Sequence, residues 1–226
     1  MGIVVITRRR LLESAAVFTA GAILANALPF GFGTIGEAYA QGPAPSPAEL
    51  LEPGPLGDFA IGSKDAPVTI VEYASMTCSH CATFHVQTYP ALKTRYVDTG
   101  KVRYILREFP LDPLAAGAFM LARCAGEAKY FDVIDALFKG QKTWAFAQNP
   151  IPPLFAVVRQ HGFNEQSFEK CLSDQKMLDS IDEVRRRGAE KFGVNSTPTF
   201  FINGKVLRGA LTIDQIEREI QPFLKS

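Results

Sequence analysis

The chain contains few of the residues that mark several common classes of protein. Its 226 residues include only three histidines and four cysteines, and its formal net charge at pH 7 is +1. Proteins whose main partner is a nucleic acid or an anionic membrane carry an excess of lysine and arginine, so the composition argues against both partners. With 47% hydrophobic residues, the chain has enough apolar material for one globular domain with a sizeable core.

The N-terminal region lacks the unbroken apolar run of about 20 residues that a membrane-spanning helix needs. Several glycines interrupt its mildly apolar part, which covers residues 15–32 and follows three arginines at residues 8–10. Residues 38–40 read Ala-Tyr-Ala, which is typical of a signal-peptide cleavage site. The pattern predicts a twin-arginine-like export signal over residues 1–40, cleaved near Ala40, and a periplasmic protein. An ordinary Sec signal and an uncleaved anchor are the alternatives, and the glycines disfavour the anchor.

The mature chain is formally neutral, because removal of residues 1–40 leaves 21 basic and 21 acidic side chains. Its first segment, residues 41–56, is rich in proline and is predicted to be a tether. Such a segment is too short to hold a dimerisation module, so the chain is expected to be a monomer. Residues 57–226 are predicted to form a single domain.

Two short motifs far apart in the chain point to one chemistry. Residues 78–81 read Cys-Ser-His-Cys and directly follow the apolar run of residues 68–73. A strand that delivers C-x-x-C to the start of a helix places two sulfurs within bonding reach, and the positive end of the helix stabilises the first thiolate. More than a hundred residues later, Thr197-Pro198 leads into a second strand and is the place for a cis peptide bond. Together the motifs predict dithiol/disulfide exchange.

Export determines how the four cysteines are interpreted, since disulfides persist in an oxidising compartment. The spacing joins Cys78 to Cys81, which leaves Cys124 to pair with Cys171. The first pair is predicted to be redox-active and the second structural, with two buried free thiols as the alternative for the second. For the first pair, the alternatives are a permanent disulfide and a metal site that includes His85, although no fourth ligand is evident nearby. No cofactor and no metal are predicted.

Glu72 is the exception within the apolar run that leads to the cysteines. It shares a strand face with Val68 and Ile70 and lies six residues before Cys78. A buried carboxyl at this position would have a raised pKa and could relay protons to the sulfurs. The alternative is a glutamate at the rim of the sheet, paired with lysine or arginine. His85, one turn beyond the second cysteine, is interpreted as an ordinary surface or half-buried residue.

The order of predicted elements defines the fold class. Strands are predicted at residues 59–61, 68–74, 102–109, 199–202 and 205–207, the last two joined by an Asn-Gly hairpin. A helix is predicted over residues 79–92, kinked or ended by Pro90, and a capping box opens the final helix at Thr212. Within residues 112–192, helical patterns cover about residues 112–126, 129–138, 153–161, 165–172 and 176–192. We therefore predict an α/β protein with a thioredoxin fold and a helical insertion between the second core strand and the cis-proline strand.

The chain resembles the DsbA-like thiol:disulfide oxidoreductases, particularly the branch found in many alphaproteobacteria. The resemblance spans about residues 56–224. It rests on Glu72, the Cys-Ser-His-Cys motif, residues 107–111 (Arg-Glu-Phe-Pro-Leu), the helical insertion with Cys124, and residues 193–204.

The resemblance implies a role for each residue of the site. Cys78 would be the nucleophile, Cys81 the resolving cysteine and His80 the residue that stabilises the thiolate, while Thr197-Pro198 would pair with the substrate backbone. A residue between the cysteines can also favour the thiolate by a donated hydrogen bond or a positive charge. The motif departs from better-known members, which have proline where this chain has serine. Many oxidases also carry valine before the cis proline, where this chain has threonine.

The predicted function is a periplasmic oxidase that donates the Cys78–Cys81 disulfide to newly exported, cysteine-containing proteins through a mixed disulfide. A membrane redox partner of the DsbB type would recharge it. A thiol reductase or isomerase is the alternative within the same chemistry, and the absence of a dimerisation module counts against the isomerase. From a different class, the alternative is a redox-inert binding protein or metallochaperone of the same fold.

Overall fold

The computed structural model describes residues 46–224. The predicted export signal and the first residues of the predicted tether lie outside the described residues. Within residues 46–224, no helix combines the length and the apolar character needed to cross a bilayer.

A five-stranded mixed sheet forms the centre of the domain. Its strands are β1 (Ala60–Ile61), β2 (Val68–Ala74), β3 (Val102–Glu108), β4 (Thr199–Ile202) and β5 (Lys205–Arg208). The spatial order is β1-β3-β2-β4-β5; β2 and β3 run parallel, whereas the other neighbours are antiparallel. The positive φ angles of Asn203 and Gly204 make the tight turn from β4 to β5. The prediction of a central strand at residues 68–74 is confirmed. The edge strand predicted at residues 59–61 is found as β1, at one edge of the sheet beside β3.

Nine helices are assigned within residues 46–224. They are α1 (Pro47–Leu51), α2 (Ser79–Gln87), α3 (Tyr89–Leu92), α4 (Pro113–Cys124), α5 (Glu127–Trp144), α6 (Ile151–Arg159), α7 (Glu165–Leu172), α8 (Gln175–Phe192) and α9 (Ile213–Leu224). Helices α4 to α8 lie between β3 and β4 in the chain, so the thioredoxin fold with a helical insertion is confirmed. Asp112 begins the insertion by accepting a 2.8 Å hydrogen bond from the Ala115 amide.

The helix predicted over residues 79–92 is broken in two. Helix α2 ends at Gln87, and α3 begins at Tyr89 with Pro90 in its first turn. Proline has no N–H to continue the ladder of helical hydrogen bonds, which accounts for the break. The Thr88 hydroxyl at the junction donates instead to the Leu211 carbonyl, at 2.8 Å. A π-helical turn, Lys93–Val97, follows α3.

Alternate residues of the central strand point into two separate cores, as the period of two along a strand requires. Ile70 lies in the larger core, which also contains Cys81 and residues of α2, α4, α5 and α9. Val71 and Tyr73 point the other way, into a smaller core that includes residues of α1 and α8. Glu72 therefore points to the larger core, on the side where Cys81 lies.

The described part of the predicted tether is packed against the domain. Ser46 caps α1 by accepting a hydrogen bond from the Glu49 amide, and Pro47 occupies the first helical position, where proline is well tolerated. Leu50 is 2% exposed and belongs to the smaller core. The tether prediction is therefore wrong for residues 46–56, because a capped helix, one buried apolar side chain and contacts with Arg107 and Arg123 dock them against the domain.

Two buried arginines hold the chain that follows α1. Arg107, on β3, binds both carboxylate oxygens of Asp58 at 2.9 and 2.7 Å and the Glu52 carbonyl at 3.1 Å. Arg123, on α4, donates to the carbonyl oxygens of residues 56–57 at 3.1 to 3.2 Å. The charge of Arg107 is paired with Asp58, and that of Arg123 with Glu108, whose Oε1 accepts from Arg123 Nε at 2.6 Å.

Candidate functional site

The two cysteines of the motif occupy the first turn of α2 but differ in exposure. Cys78 is the N-cap residue of α2, directly after the loop that leaves β2, and it is half-buried. Cys81, almost one turn further along, has no exposed surface. Both are free thiols in this structure. An incoming thiol therefore meets Cys78 first.

The loop before β4 closes over the first sulfur. The Thr197-Pro198 peptide bond is cis, as predicted, and the Cys78 thiol donates to the Thr197 carbonyl at 3.3 Å. The Thr197 hydroxyl is buried with no hydrogen-bond partner among the described residues, which leaves it available to a thiolate. Residues 119 positions apart in sequence thus meet at the reactive sulfur.

Hydrogen bonds stabilise the ionised form of Cys78. The Cys81 thiol makes the largest contribution, and burial opposes it; Thr197 and the backbone N–H groups of Cys81 and His80 add to it. Together these donors lower the pKa of Cys78 to about 5. Cys78 is therefore a thiolate at neutral pH, the form that reacts with disulfides.

Cys81 has the opposite preference. Burial raises its pKa well above the ordinary thiol value, and the hydrogen bond to Cys78 and the negative charge of Glu72 raise it further. The pair therefore holds one proton on the buried sulfur and none on the accessible one. This division of roles suits a nucleophile and a resolving thiol.

Glu72 is buried beside the pair, as one of the two sequence interpretations expected. It is 0% exposed, and its Oε2 atom lies 3.1 Å from His85 Nε2 and accepts a short hydrogen bond from the Tyr104 hydroxyl. The alternative of a rim glutamate paired with lysine or arginine is wrong. The hydrogen-bond partners of Glu72 are instead His85, on the helix that carries the cysteines, and Tyr104, on the neighbouring strand β3.

The interpretation of His85 as a surface or half-buried residue is wrong. Its side chain is 1% exposed, and its ring stacks on Phe138 with centroids 4.1 Å apart and planes inclined by 18°. His85 lies one turn after Cys81, on the same face of α2, and α5 packs over that face. No local sequence pattern indicates which helix covers this face.

His80 contributes its backbone rather than a visible side-chain contact. Its side chain lies on the exposed side of α2, while its N–H is one of the groups that lower the pKa of Cys78. A role for the imidazole in stabilising the thiolate stays a prediction. The exposed imidazole would then act on the half-buried Cys78 sulfur from the solvent side.

Gln141 is a site residue that the sequence did not indicate. It is 2% exposed on α5, and its side-chain amide donates to the carbonyl oxygens of Met76 and Cys78 at 2.8 and 2.9 Å. Gln141 lies beyond the helix predicted over residues 129–138, and a single glutamine there carries no signal of this role. Its contacts fix the loop that leads from β2 into α2.

The second cysteine pair is bonded and lies within the helical insertion. A disulfide joins Cys124, at the end of α4, to Cys171, on α7, with their Cα atoms 6.2 Å apart. The two free thiols that were the alternative interpretation are not found. The bridge ties the start of the insertion to its later helices.

The metal interpretation of the motif finds no support in the described residues. His85 Nε2 is bonded to Glu72, and residues 46–224 contain no group of three or more histidine, cysteine, aspartate or glutamate side chains placed to hold an ion. The arrangement is suited to exchange between thiols and disulfides.

Comparisons with known proteins agree with this geometry. Residues 56–222 match the family model described as Thioredoxin. Wolbachia pipientis alpha-DsbA1 has a crystal structure that matches with a TM-score of 0.74 and 31% identity, covering 80% of this chain and 97% of that one. Chlamydia trachomatis DsbA shares the fold, with a TM-score of 0.66, 21% identity and coverage of 74% and 91%.

Relatives with curated names are described as oxidoreductases of protein disulfides. A Rickettsia bellii protein named "Putative protein-disulfide oxidoreductase" is 34% identical over 148 residues, which are 65% of this chain and 57% of that protein. The chain spans 57% to 62% of the length of this relative and its Rickettsia typhi counterpart.

Proposed function

Because this chain belongs to the DsbA-like branch of the thioredoxin family, we propose that it is a periplasmic thiol:disulfide oxidase. It would donate the Cys78–Cys81 disulfide to newly exported proteins that contain cysteines. The observation that carries the proposal is the contrast between the sulfurs: the pKa of accessible Cys78 is lowered to about 5, whereas that of buried Cys81 is raised.

The exposure of the sulfurs sets the order of the steps. A client thiolate attacks Cys78 of the oxidised pair, since Cys81 has no exposed surface. The Cys78–Cys81 bond breaks, a mixed disulfide forms with the client, and Cys81 takes up a proton. A second client thiolate then attacks the client sulfur and releases Cys78. Two electrons pass from the client to the enzyme, and the client leaves with a disulfide.

The direction of electron flow follows from the last step. Cys78 leaves as a thiolate that four hydrogen-bond donors stabilise, which makes it a good leaving group. Stabilising the reduced protein makes the oxidised protein a stronger oxidant. A membrane partner of the DsbB type would then remove the two electrons, and the enzyme would work as a monomer.

Redox equilibration with glutathione tests the proposal. An oxidase should show a reduction potential near about −120 mV, the value of DsbA, whereas a value near about −180 mV would favour the isomerase. A potential near the value of about −270 mV typical of thioredoxin would favour the reductase. Failure of the pair to exchange with glutathione would favour the redox-inert binding protein. Cys124→Ala with Cys171→Ala is the background in which the measurement reports one couple only.

The reductase or isomerase is retained as the second candidate because of one residue. Threonine precedes the cis proline here, where many oxidases carry valine. The reduction potential measured against glutathione distinguishes an enzyme that oxidises client thiols from one that reduces client disulfides.

A further inference from the structure

We propose that Asp112 is a positioning residue for thiol:disulfide exchange. In addition to capping α4, its carboxylate holds Thr77 and thereby fixes the turn that places the Cys78 sulfur. The inference deepens the proposed function and rests on it, since the position of this sulfur matters only if Cys78 exchanges.

A tight turn joins the end of β2 to the first cysteine. The Cys78 amide donates to the Ser75 carbonyl at 3.1 Å, which closes the turn over Met76 and Thr77. Cys78 then begins α2 as its N-cap residue, with extended backbone angles. Two backbone N–H groups of the first helical turn stabilise its thiolate. The sulfur meets these donors only when the chain enters the helix in this direction, so the turn determines how well the thiolate is stabilised.

Hydrogen bonds continue the pairing of β2 and β3 beyond the ends of both strands. The Phe109 amide donates to the Ala74 carbonyl at 2.8 Å and extends the backbone ladder by one step. After that step, side chains of the turn take the place of its backbone. The Leu111 amide donates to the Ser75 hydroxyl oxygen at 3.2 Å. The chain that follows β3 is therefore fastened to the turn that follows β2.

The Thr77 hydroxyl completes this connection. It donates to Asp112 Oδ2 at 2.5 Å and lies 3.3 Å from the Ser75 hydroxyl. A hydroxyl bonded to a carboxylate at this distance is a charge-assisted hydrogen bond, which is about twice as strong as one between neutral groups. Leu111 and Asp112 are adjacent in sequence, and they hold Ser75 and Thr77 respectively. Two short segments are thus joined at two points.

The two carboxylate oxygens of Asp112 have separate tasks. Oδ1 accepts from the Ala115 amide at 2.8 Å and caps α4, while Oδ2 accepts from Thr77. A helix N-cap needs one side-chain acceptor, and serine supplies it as well as aspartate does. Asp174 caps α8 in the ordinary way, by accepting from the Met177 amide at 3.0 Å. The second oxygen of Asp112 is therefore not needed for the cap and serves the turn.

The turn is held from two sides. Gln141, buried on α5, binds the Met76 and Cys78 carbonyls from within the domain, whereas Asp112, exposed at the start of α4, binds Thr77 from outside. Loss of the outer contact gives the turn more freedom, and the sulfur then spends less time against its donors. A thiolate that accepts fewer hydrogen bonds has a higher pKa.

The sign of the pKa change separates positioning from direct charge. A carboxylate that acted on the Cys78 thiolate through space would disfavour it, so removal of Asp112 would lower the pKa of Cys78. Positioning predicts that the pKa rises when the bond is lost. Thr77→Val removes the bond but keeps the carboxylate, the cap of α4 and nearly the same side-chain shape. The neighbouring titratable groups of α2, His80 and Cys81, are unchanged in this variant.

Two measurements on the reduced pair test the proposal. Absorbance at 240 nm follows the Cys78 thiolate as pH is varied, and equilibration with glutathione reports how stable the reduced pair is. Thr77→Val should raise the titration midpoint by about 0.5 pH unit or more. The glutathione equilibrium should shift against the reduced pair by the same factor, about threefold or more, because both measure the stability of one thiolate.

Conservative variants separate the hydroxyl from packing. Thr77→Ser keeps the hydroxyl and should restore both values. Thr94→Val, at an exposed threonine of the π-helical turn, is the matched control and should change neither. An unchanged midpoint and an unchanged glutathione equilibrium in Thr77→Val would overturn the proposal. So would a Thr77→Ser protein that behaves as Thr77→Val does.

Asp112→Ser tests the same bond from the other side. It keeps an N-cap acceptor for α4 but has no second oxygen for Thr77, so it should raise the midpoint as Thr77→Val does. The double variant should raise the midpoint no further than the larger single change, because each removes one shared contact. Asp174→Ser is the matched control for a substituted cap and should leave Cys78 unchanged. A lowered midpoint in Asp112→Ser, or effects that add in the double variant, would overturn the proposal.

A measurement on the wild type keeps the test independent of folding in the variants. NMR scalar couplings should show the Thr77 side chain in a single χ1 rotamer in both redox forms. Averaging over rotamers would mean that Asp112 does not hold the hydroxyl. The proposed function fails differently, through a wild-type glutathione potential close to that of thioredoxin or through lack of exchange, and neither result depends on Asp112.

Discussion

Gln141 of the helical insertion is joined to Cys78 by a 2.9 Å hydrogen bond from its side-chain amide to the cysteine carbonyl. The same amide donates to the Met76 carbonyl at 2.8 Å. Because Gln141 is buried, water cannot readily replace these bonds. The insertion is thus a structural support for the loop that presents the reactive sulfur.

Gln141→Ala should weaken both the fold and the site. It leaves the Met76 carbonyl without its donor, at a cost of about 1 to 3 kcal/mol for a buried unsatisfied group, whereas the Cys78 carbonyl keeps the Ala82 amide at 3.1 Å. We expect a lower melting temperature and a slower reaction of Cys78 with a disulfide reagent. Gln166→Ala, at an exposed position of α7, is the matched control and should change neither. Wild-type stability and reactivity in Gln141→Ala would show that the two bonds are dispensable.

Cys81→Ser should trap clients as mixed disulfides. With the resolving thiol removed, a client bound to Cys78 cannot be released by attack from within the enzyme. Cys78→Ser should abolish exchange, because the remaining thiol is buried and keeps its proton. Non-reducing gels and mass spectrometry of the two variants identify the adducts. Equal trapping through Cys81 in the Cys78→Ser protein would reverse the assignment of the two sulfurs.

The stability of the reduced protein should depend on pH in a defined window. The pKa of Cys78 is lowered to about 5 in the folded protein, against about 8.5 for an unfolded thiol. Unfolding therefore binds a proton between these values, and the stability of the reduced form falls as pH falls from about 8.5 towards 5. Above about pH 8.5 the raised pKa of Cys81 acts in the opposite sense, and stability falls as pH rises.

Urea denaturation of both redox forms at pH 5, 7 and 8.5 measures this dependence. The oxidised form is the internal control, since its bonded Cys78 and Cys81 do not titrate. The stability difference should shift in favour of the reduced form between pH 5 and 8.5, and at pH 7 an oxidase should be more stable when reduced. An oxidised form that is clearly the more stable at pH 7 would instead favour the reductase.

Removal of the second disulfide should affect stability more than chemistry. The bridge between Cys124 and Cys171 closes a loop for which chain entropy gives roughly 3 to 4.5 kcal/mol before strain. Cys124→Ala with Cys171→Ala should lower the melting temperature, while the reduced Cys78–Cys81 pair should react with a disulfide reagent at an unchanged rate. An unchanged melting temperature would mean that packing of the insertion alone holds α4 and α7 together.

The sequence predicted most of the fold and the centre of the site because the signals were local. A buried strand followed by C-x-x-C, a Thr-Pro step before β4, and Asp112 before a proline each depend on residues close together in the chain. Helices of the insertion were also placed within a few residues of their observed ends, apart from α5, which continues to Trp144. Hydrophobic spacing and caps specify such elements without tertiary information.

The errors arose where contacts between distant elements decide the outcome. His85 looked unremarkable because its burial depends on Phe138, 53 positions later in the chain, and on the packing of α5 over α2. Gln141 had no signal because its partners are backbone carbonyls. Residues 46–56 were interpreted from their prolines, whereas their docking depends on arginines of β3 and α4. Burial by a distant helix is not encoded in a local pattern.

The contacts of Arg107 and Arg123 determine which N-terminal truncations the fold tolerates and which peptide bonds a protease can reach. A truncation at residue 57, the domain start suggested by composition, would remove α1 and the Glu52 carbonyl that Arg107 binds. Removal of two more residues would take Asp58 as well, leaving a buried guanidinium without its carboxylate. Recombinant versions should therefore begin at or before Ser46. For the same reason, limited proteolysis of the folded protein should spare the peptide bonds between residues 52 and 58.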